Sequence, residues 1–339
     1  MNISIFGSGA WGTAISLVLS DNGHNAKIWS KFETEAKNLR DMRENPLLPG
    51  VGIPLDIGIV SDIEEAARGA EVAIIAVPSY AVRETVEGLR GKLDKGCVVA
   101  CLSKGIEKDT STLFTDIIKN TLGDSAPIAA VSGPTHAEEV ARRIPTACVA
   151  ASEDMTIAER VQGLLMNEYL RVYTSNDVVG VELGAALKNV IALCAGVCDG
   201  LGFGDNTMAM LMTRGLAEMA DLCVKMGGRK ETIAGLAGLG DLIVTCMSRH
   251  SRNRRAGVLI GKGRSAMEAM EEVGAVVEGY YAAAAARCLA SAMQVDMPIC
   301  LEAYSVLYEG KAPLIAINDL MGREKKSENS AGEETWVIR

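Results

Sequence analysis

A lysine at position 188 stands inside Val181–Leu201, a run dominated by apolar and small residues. At helical spacing, Gly184, Ala185, Ile191, Ala192 and Ala195 fall one turn either side of it, on its own face. An ammonium held there loses hydration. Its charged form is disfavoured, and its pKa falls toward the range in which a lysine gives and takes protons near neutrality. A structural ion pair with a distant carboxylate accounts for the same pattern. So does a side chain that carries its head to the surface past the small residues.

Other segments supply what such a lysine would need. Gly7-Ser8-Gly9-Ala10-Trp11-Gly12 follows an apolar strand pattern and opens a helical one. Gly7 permits a tight turn, Gly9 lets the backbone approach a pyrophosphate, and Gly12 lets the helix pack closely on the strand. The second strand pattern ends in Ser30-Lys31 rather than in Asp or Glu. A hydroxyl and a cation there favour NADPH, with NADH as the alternative; a solvated loop lysine is the rival explanation. Lys104 sits just after a strand, where parallel sheets bind ligands, although a surface lysine beside Gly105 reads the same way. In Ser132–Glu138, Thr135 and Glu138 have the spacing of a capping box, and the exposed amides also suit an anion. Asp241 is a lone carboxylate in the Gly/Ala/Leu stretch 235–242, as an N-cap or as a functional acid. Ser251-Arg252-Asn253-Arg254-Arg255 is a basic cluster suited to a phosphate monoester, with Arg254 and Arg255 equally explained as a solvated face.

The elements that must position these residues fall into two halves. Strand patterns at 3–6, 26–29, 72–77, 98–102, 128–131, 147–150 and 171–173 alternate with helical segments such as 13–22, 80–88 and 111–121. Near-continuously apolar strands separated by helices predict a doubly wound, mainly parallel α/β sheet of Rossmann type over residues 1–177. The following stretch, 178–321, reads as all helical, with helices at 178–199, 207–226, 231–236, 252–261, 265–272, 278–293 and 298–308. A polar, loose tail is expected over 322–339. Two domains also fit a length of 339 residues.

Composition narrows the partners. A net charge of −9 gives no reason to expect nucleic acid or an anionic membrane surface. Nine scattered cysteines without a Cys-x-x-Cys, and three histidines, point to reduced thiols in the cytoplasm and to no metal site. No signal peptide is expected, and no apolar stretch reads as long and smooth enough to span a membrane.

Taken together, these segments resemble the bacterial-type NAD(P)-dependent glycerol-3-phosphate dehydrogenases over residues 1–322. The resemblance rests on GSGAWGT at 7–13, NPLLPG at 45–50, SKGIE at 103–107, SGPTHAEE at 132–139, LKNVIA at 187–192, AGLGDL at 237–242, SRNRR at 251–255 and VVEGY at 276–280. It implies reversible reduction of dihydroxyacetone phosphate to sn-glycerol 3-phosphate, supplying phospholipid backbones, with Lys188 as proton donor and acceptor. It carries over substrate contacts to Lys104, Gly133, Thr135, Lys188, Asp241, Ser251, Arg252 and Asn253. The cofactor contacts it implies are Ala10, Trp11, Lys31, Lys104, Ala137, Arg252, Val277 and Glu278, beside the glycines at 7, 9 and 12. Asp241, aided by Thr245, is expected to orient Lys188, and Lys104 to add positive charge at the reacting oxygen. The chain departs from the family in having His136 for Phe, Lys31 for Arg, Ala275 for Gln and Ala283 for Thr. A homodimer is compatible with this picture. The rivals are another two-domain dehydrogenase, of hydroxy acids or of a sugar-acid phosphate, and a nicotinamide-sensing regulator without catalysis.

Overall fold

A computed structural model describes residues 1–124, 126–325, 327 and 328. Eight strands form one sheet: β1 (Asn2–Phe6), β2 (Asn25–Trp29), β3 (Gly58–Val60), β4 (Val72–Ile75), β5 (Val98–Cys101), β6 (Ile128–Ser132), β7 (Thr146–Ala151) and β8 (Leu170–Ser175). Their order is β3-β2-β1-β4-β5-β6-β7-β8, and every neighbouring pair is parallel except the antiparallel β6–β7. Helices cover both faces, which is why β4 and β5 are buried at every position and read as unbroken apolar runs. The order reverses between β1 and β4, and such a switch point opens a crevice beyond the carboxyl ends of the strands.

From Val178 to Met321 the elements are all helices, joined by turns. Their centre is the helix Val178–Gly200, buried without a break from Gly180 to Leu193. Its mean hydropathy and length are sufficient to cross a membrane, contrary to the expectation from sequence. Yet 83% of its apolar window is enclosed by the rest of the chain, which makes it a core helix. The helix Arg252–Gly261 packs against it in backbone contact. A Cβ at Gly257 would stand 2.0 Å from the Leu193 carbonyl oxygen, and one at Gly196 would stand 2.0 Å from that of Arg254. Small residues on both partners thus bring Arg252 and Asn253 close to the Lys188 helix.

Several element boundaries differ from the sequence reading. β3 is only three residues long, too short to show a period, and the helices Glu33–Met42, Met155–Leu165 and Pro313–Met321 were not singled out. The helix expected at 231–236 is instead the short Lys230–Ile233. A wide turn follows, closed by Gly240 N–H donating to the Gly235 carbonyl at 3.0 Å, and then the helix Asp241–Met247. Most of the tail expected at 322–339 lies outside the described residues.

Two buried carboxylates fasten helix starts. Glu182, on the Lys188 helix, accepts from the Thr115 backbone N–H at 3.1 Å and from the Thr115 hydroxyl, at the start of the helix Phe114–Leu122. The loop from Lys104 to that helix is also anchored by Ile106 and Leu113, which are buried in the core of the helical half. Glu218 accepts from Ile299 N–H at 2.8 Å and Cys300 N–H at 3.2 Å, at the start of the helix Pro298–Tyr308. Burial outweighs these hydrogen bonds and pushes both carboxyls up to about 7.

Between 4.5, the ordinary value, and about 7, the unfolded chain has released the Glu182 proton while the folded chain keeps it. Stability therefore falls as pH rises through this window. Glu182→Gln keeps an acceptor for Thr115 and removes that proton from the balance. Denaturant unfolding at about pH 5 and about pH 8 should show a pH-dependent loss smaller than the wild type's, by on the order of 2–3 kcal/mol. Equal losses in the two proteins would refute the role given to Glu182.

Candidate active site

The glycine-rich loop leaves β1 at Gly7, whose φ of 132° is open to glycine and strained for other residues. The helix Ala10–Asp21 starts against it so closely that a Cβ at Gly12 would lie 2.0 Å from the Gly7 carbonyl oxygen. Gly9 is the N-cap and offers no side chain, and a Cβ there would meet nothing within 4 Å. The first amides of the helix consequently point outward beyond the strand ends, a geometry that holds phosphate. Asn45 fixes the loop from behind, donating to the Ser8 carbonyl at 2.9 Å and to Thr13 Oγ1 at 2.6 Å.

At the ends of β5 and β6 the loop residues Lys104 and Gly133 meet the helical half. Asp241 bridges two lysines: its Oδ1 accepts from Lys188 Nζ at 3.0 Å and its Oδ2 from Lys104 Nζ at 2.7 Å. Lys188 Nζ also donates to Thr245 Oγ1 at 2.8 Å, and Thr245 donates to the Asp241 carbonyl at 2.6 Å. Lys104 Nζ donates further to the Gly133 carbonyl at 2.8 Å and to Thr135 Oγ1 at 3.1 Å. Lys188 is 6% exposed and Asp241 2%. The small residues around Lys188 offer it no polar wrap, and the partners come from a turn and helix some fifty residues away in sequence. Its head does not run to the surface.

Burial pushes the Lys188 ammonium down to about 8; Asp241 opposes this and the Lys104 charge adds to it. Burial acts to raise the Asp241 carboxyl, but the charges and hydrogen bonds of Lys104 and Lys188 win and hold it below the ordinary carboxylate range. The three groups thus form a buried, net positive cluster in which one member titrates near neutrality.

The basic cluster divides. Arg252 is exposed and forms no salt bridge with the described residues, while its charge helps draw down the buried Glu278 carboxyl. For that carboxyl burial is the larger influence and leaves it raised. Asn253 is buried, with its Oδ1 accepting from Gly279 N–H at 2.8 Å and its Nδ2 donating to Asn189 Oδ1 at 2.9 Å. One Nδ2 hydrogen remains beyond these bonds. Ser251 caps its helix by accepting from Arg254 N–H at 3.2 Å, and Arg254 pairs with Asp199 at 2.7 Å.

Of the two readings of Asp241 the local cap falls away, since Gly240 occupies the N-cap position and the carboxylate is spent on the lysines. One expectation needs correction. Thr135 and Glu138 form no capping box. His136 is the N-cap and makes no side-chain bond to its helix, because Thr135 turns toward Lys104. Lys31, at the end of β2 where a 2′-phosphate is expected, pairs with Glu84 at 2.6 Å on the surface, an exposed contact that leaves it able to turn to a ligand.

Ala137 opens the helix after β6, and Val277 is the N-cap of the helix Glu278–Met293. Four side-chain atoms are shut away from solvent without a hydrogen-bond partner among the described residues: Trp11 Nε1, Ser132 Oγ, His136 Nε2 and Glu278 Oε2. Buried polar atoms left open are costly and mark places where a ligand completes the bonding. Trp11, Ser132 and His136 follow or end strands β1 and β6, so these atoms fit a dinucleotide laid across the strand ends. Ser132, Asn45 and Asn189 were legible only as neighbours within quoted motifs.

Comparison with known proteins shows the family. The sequence model of the NAD-dependent glycerol-3-phosphate dehydrogenase N-terminus matches residues 2–158, and that of the C-terminus matches residues 177–318. The chain belongs to the NAD-dependent glycerol-3-phosphate dehydrogenase family. It is 50% identical to the glycerol-3-phosphate dehydrogenase (NAD(P)+) of a Thermoanaerobacter species, over 97% of this chain and 99% of that one. The enzyme of the same name from Agathobacter rectalis is 48% identical over 98% of each chain. Among solved structures, glycerol-3-phosphate dehydrogenase from Coxiella burnetii matches with a TM-score of 0.92 at 35% identity, covering 95% of this chain and 99% of that one.

In this family member Asp241 separates two buried or half-buried ammonium groups, so its loss should be felt as instability. Asp241→Asn should destabilise the fold by about 3–5 kcal/mol near neutral pH, the size seen when one partner of a buried ion pair is removed. The deficit should narrow as pH rises toward about 8 and level off above it, because without Asp241 the variant's Lys188 sheds its proton at lower pH than the parent's. Denaturant titrations across pH check this, and a deficit that widened with pH would contradict it.

Proposed function

We propose that this chain catalyses the reversible reduction of dihydroxyacetone phosphate to sn-glycerol 3-phosphate with NAD(P)H, and so supplies glycerophospholipid synthesis. The observation that carries this reading is the Lys188–Asp241–Lys104 cluster, set at the strand ends, with Arg252 on the helix packed against that of Lys188 and in no salt bridge among the described residues. We place the dinucleotide on residues 1–177 and the catalytic lysine and phosphate contacts mainly on 178–321. Thiols such as Cys101 and Cys300, which burial holds in the protonated form, suit a reducing compartment, and we place the enzyme in the cytoplasm. A homodimer is the assembly we propose.

The reduced nicotinamide, when bound, supplies the hydride that reaches the substrate's carbonyl carbon. The chain's own residues do the rest. Arg252, with the remaining Asn253 N–H, holds the phosphate, which fixes the carbonyl group in orientation. Lys104 and Lys188 place positive charge beside the carbonyl oxygen as negative charge develops on it. Lys188 Nζ then gives that oxygen a proton, and in the reverse direction the neutral amine takes the proton from the hydroxyl. Asp241 and Thr245 aim the lysine, and Asp241 keeps its pKa from falling further. The amides of the Gly7–Gly12 turn hold the pyrophosphate. Trp11, Ala10, Ala137, Val277 and Glu278 border the dinucleotide, with Gly133, Thr135 and Ser251 shaping the substrate side.

Lys188→Ala should lower kcat by roughly 10²–10⁴-fold while leaving dinucleotide binding nearly intact; a variant with near-normal turnover would remove Lys188 from the mechanism. Because reduction needs the ammonium and oxidation the amine, kcat for reduction should fall above about 8 and kcat for oxidation should fall below it. Steady-state profiles in both directions test this, and two profiles of the same sense would be inconsistent with it. Arg252→Ala should raise the KM for dihydroxyacetone phosphate by roughly 10–100-fold, the value of about 1.5–3 kcal/mol for hydrogen bonds to a charged group. Wild-type enzyme that used unphosphorylated dihydroxyacetone as efficiently would argue against a phosphate clamp.

A further inference from the structure

The adenosine end of the site holds a group that the sequence pattern does not single out. In open parallel sheets the adenosine ribose lies against the end of the second strand, where a carboxylate usually accepts from its hydroxyls. Here β2 is followed by Ser30 and Lys31, neither of them acidic. The carboxylate comes from Glu35 instead, in the first turn of the helix Glu33–Met42. It folds back so that Oε2 accepts from Ser30 Oγ at 2.9 Å and from Ser8 Oγ at 3.1 Å. The two hydroxyls are themselves 2.9 Å apart. Ser30 is buried, and Ser8 lies between the first two glycines of the phosphate-binding turn with its carbonyl held by Asn45. The triangle therefore joins that turn to the strand end, at the place the ribose takes in this fold.

The surrounding charges point the same way. Lys31 is turned to Glu84, donating to both carboxylate oxygens at 2.6 and 2.7 Å. Arg40 is occupied by Glu33 at 2.5 Å and by the Ile59 carbonyl at 3.2 Å. Three carboxylates, Glu33, Glu35 and Glu84, thus stand here with Lys31 and Arg40 already engaged, while the charge of Lys37 acts on Glu33. A 2′-phosphate would add two negative charges to this group, whereas a 2′-hydroxyl would donate into it.

We propose that Glu35 reads the 2′ position of the adenosine ribose, accepting from the hydroxyl of NADH and repelling the phosphate of NADPH, so that NADH binds at least as tightly. The Lys31–Glu84 pair is exposed and weakly held, so Lys31 can turn to a 2′-phosphate and NADPH stays usable. The inference rests on the dinucleotide site proposed above and assigns its selectivity.

The test is equilibrium titration of the intact enzyme with NADH and with NADPH, followed by nicotinamide fluorescence, for the wild type, Glu35→Gln and Glu35→Ala. The readout is the ratio of the Kd for NADPH to the Kd for NADH. We expect a wild-type ratio of one or more, and a fall of about threefold or more in each variant, the scale of losing one like-charge repulsion at a partly exposed site. A wild-type ratio below one, or a smaller fall in both variants, overturns the role of Glu35. Failure of the wild type to bind either dinucleotide would instead defeat the reading of the site beneath it. Ser8 and Ser30 remain in both variants, and circular dichroism confirms that each is folded before its ratio is read.

Discussion

The Asp241 carboxylate held between two ammonium groups is the constraint around which this molecule is arranged. A buried acid with a single lysine would gain little over a well-packed apolar pair, since desolvation consumes most of the attraction. A second lysine changes the balance. It neutralises the acid fully, leaves one positive charge in excess, and makes the deprotonation of one lysine less costly. That excess charge is what a developing alkoxide can use. The cluster also draws its members from three places: Lys104 from the loop after β5, Lys188 from the central helix, and Asp241 from the turn after Gly240. Bringing them within hydrogen-bond reach requires the sheet and the helical bundle to meet at a defined angle.

Packing supplies that angle by removing side chains rather than by adding them. The central helix presents small residues to the helix that carries Arg252 and Asn253, and backbone meets backbone. It also presents Gly184 to the turn before Asp241, where a Cβ would lie 2.6 Å from the Ala237 carbonyl oxygen. Close backbone approach leaves little freedom for sliding, so polar groups on neighbouring elements keep their register. Glu182 and the apolar residues Ile106 and Leu113 then tie the Lys104 loop to the same helix. Lys188, Asn189, Glu182 and Gly184 all lie within two turns of one another, so a single rigid element orients proton transfer, phosphate binding and the junction with the sheet.

Much of this was legible before folding was considered. The strands β4 and β5 announce themselves as short apolar runs because they are covered on both sides, and the glycine turn announces its ligand because only glycine permits the backbone approach. The family motifs add the identity of the site residues. The same motifs placed Asp241 and Thr245 beside Lys188, while the local reading left Asp241 as an N-cap or a functional acid. A capping role for Asp241 and for the Thr135–Glu138 pair was a sound local explanation in each case, since short polar side chains near helix starts usually bond their own backbone. Tertiary partners with full charges outbid those local bonds. The membrane question turned in the same way: the central helix is apolar enough to span a bilayer, and only its enclosure by the other helices shows why.

By itself, then, the sequence determined the alternation of strands and helices, the dinucleotide turn, the change to an all-helical second half and the residue types available for catalysis. These depend on local spacing and on which positions avoid water, and both are written along the chain. The tertiary structure decided which carboxylate meets which lysine, that Lys188 is buried among partners from distant segments, that Lys31 is engaged by Glu84, and that Glu35 reaches the end of β2. Such pairings depend on distances between elements remote in sequence. Electrostatic interactions fall off with distance and gain strength with burial, so they have no definite value until the fold has set both.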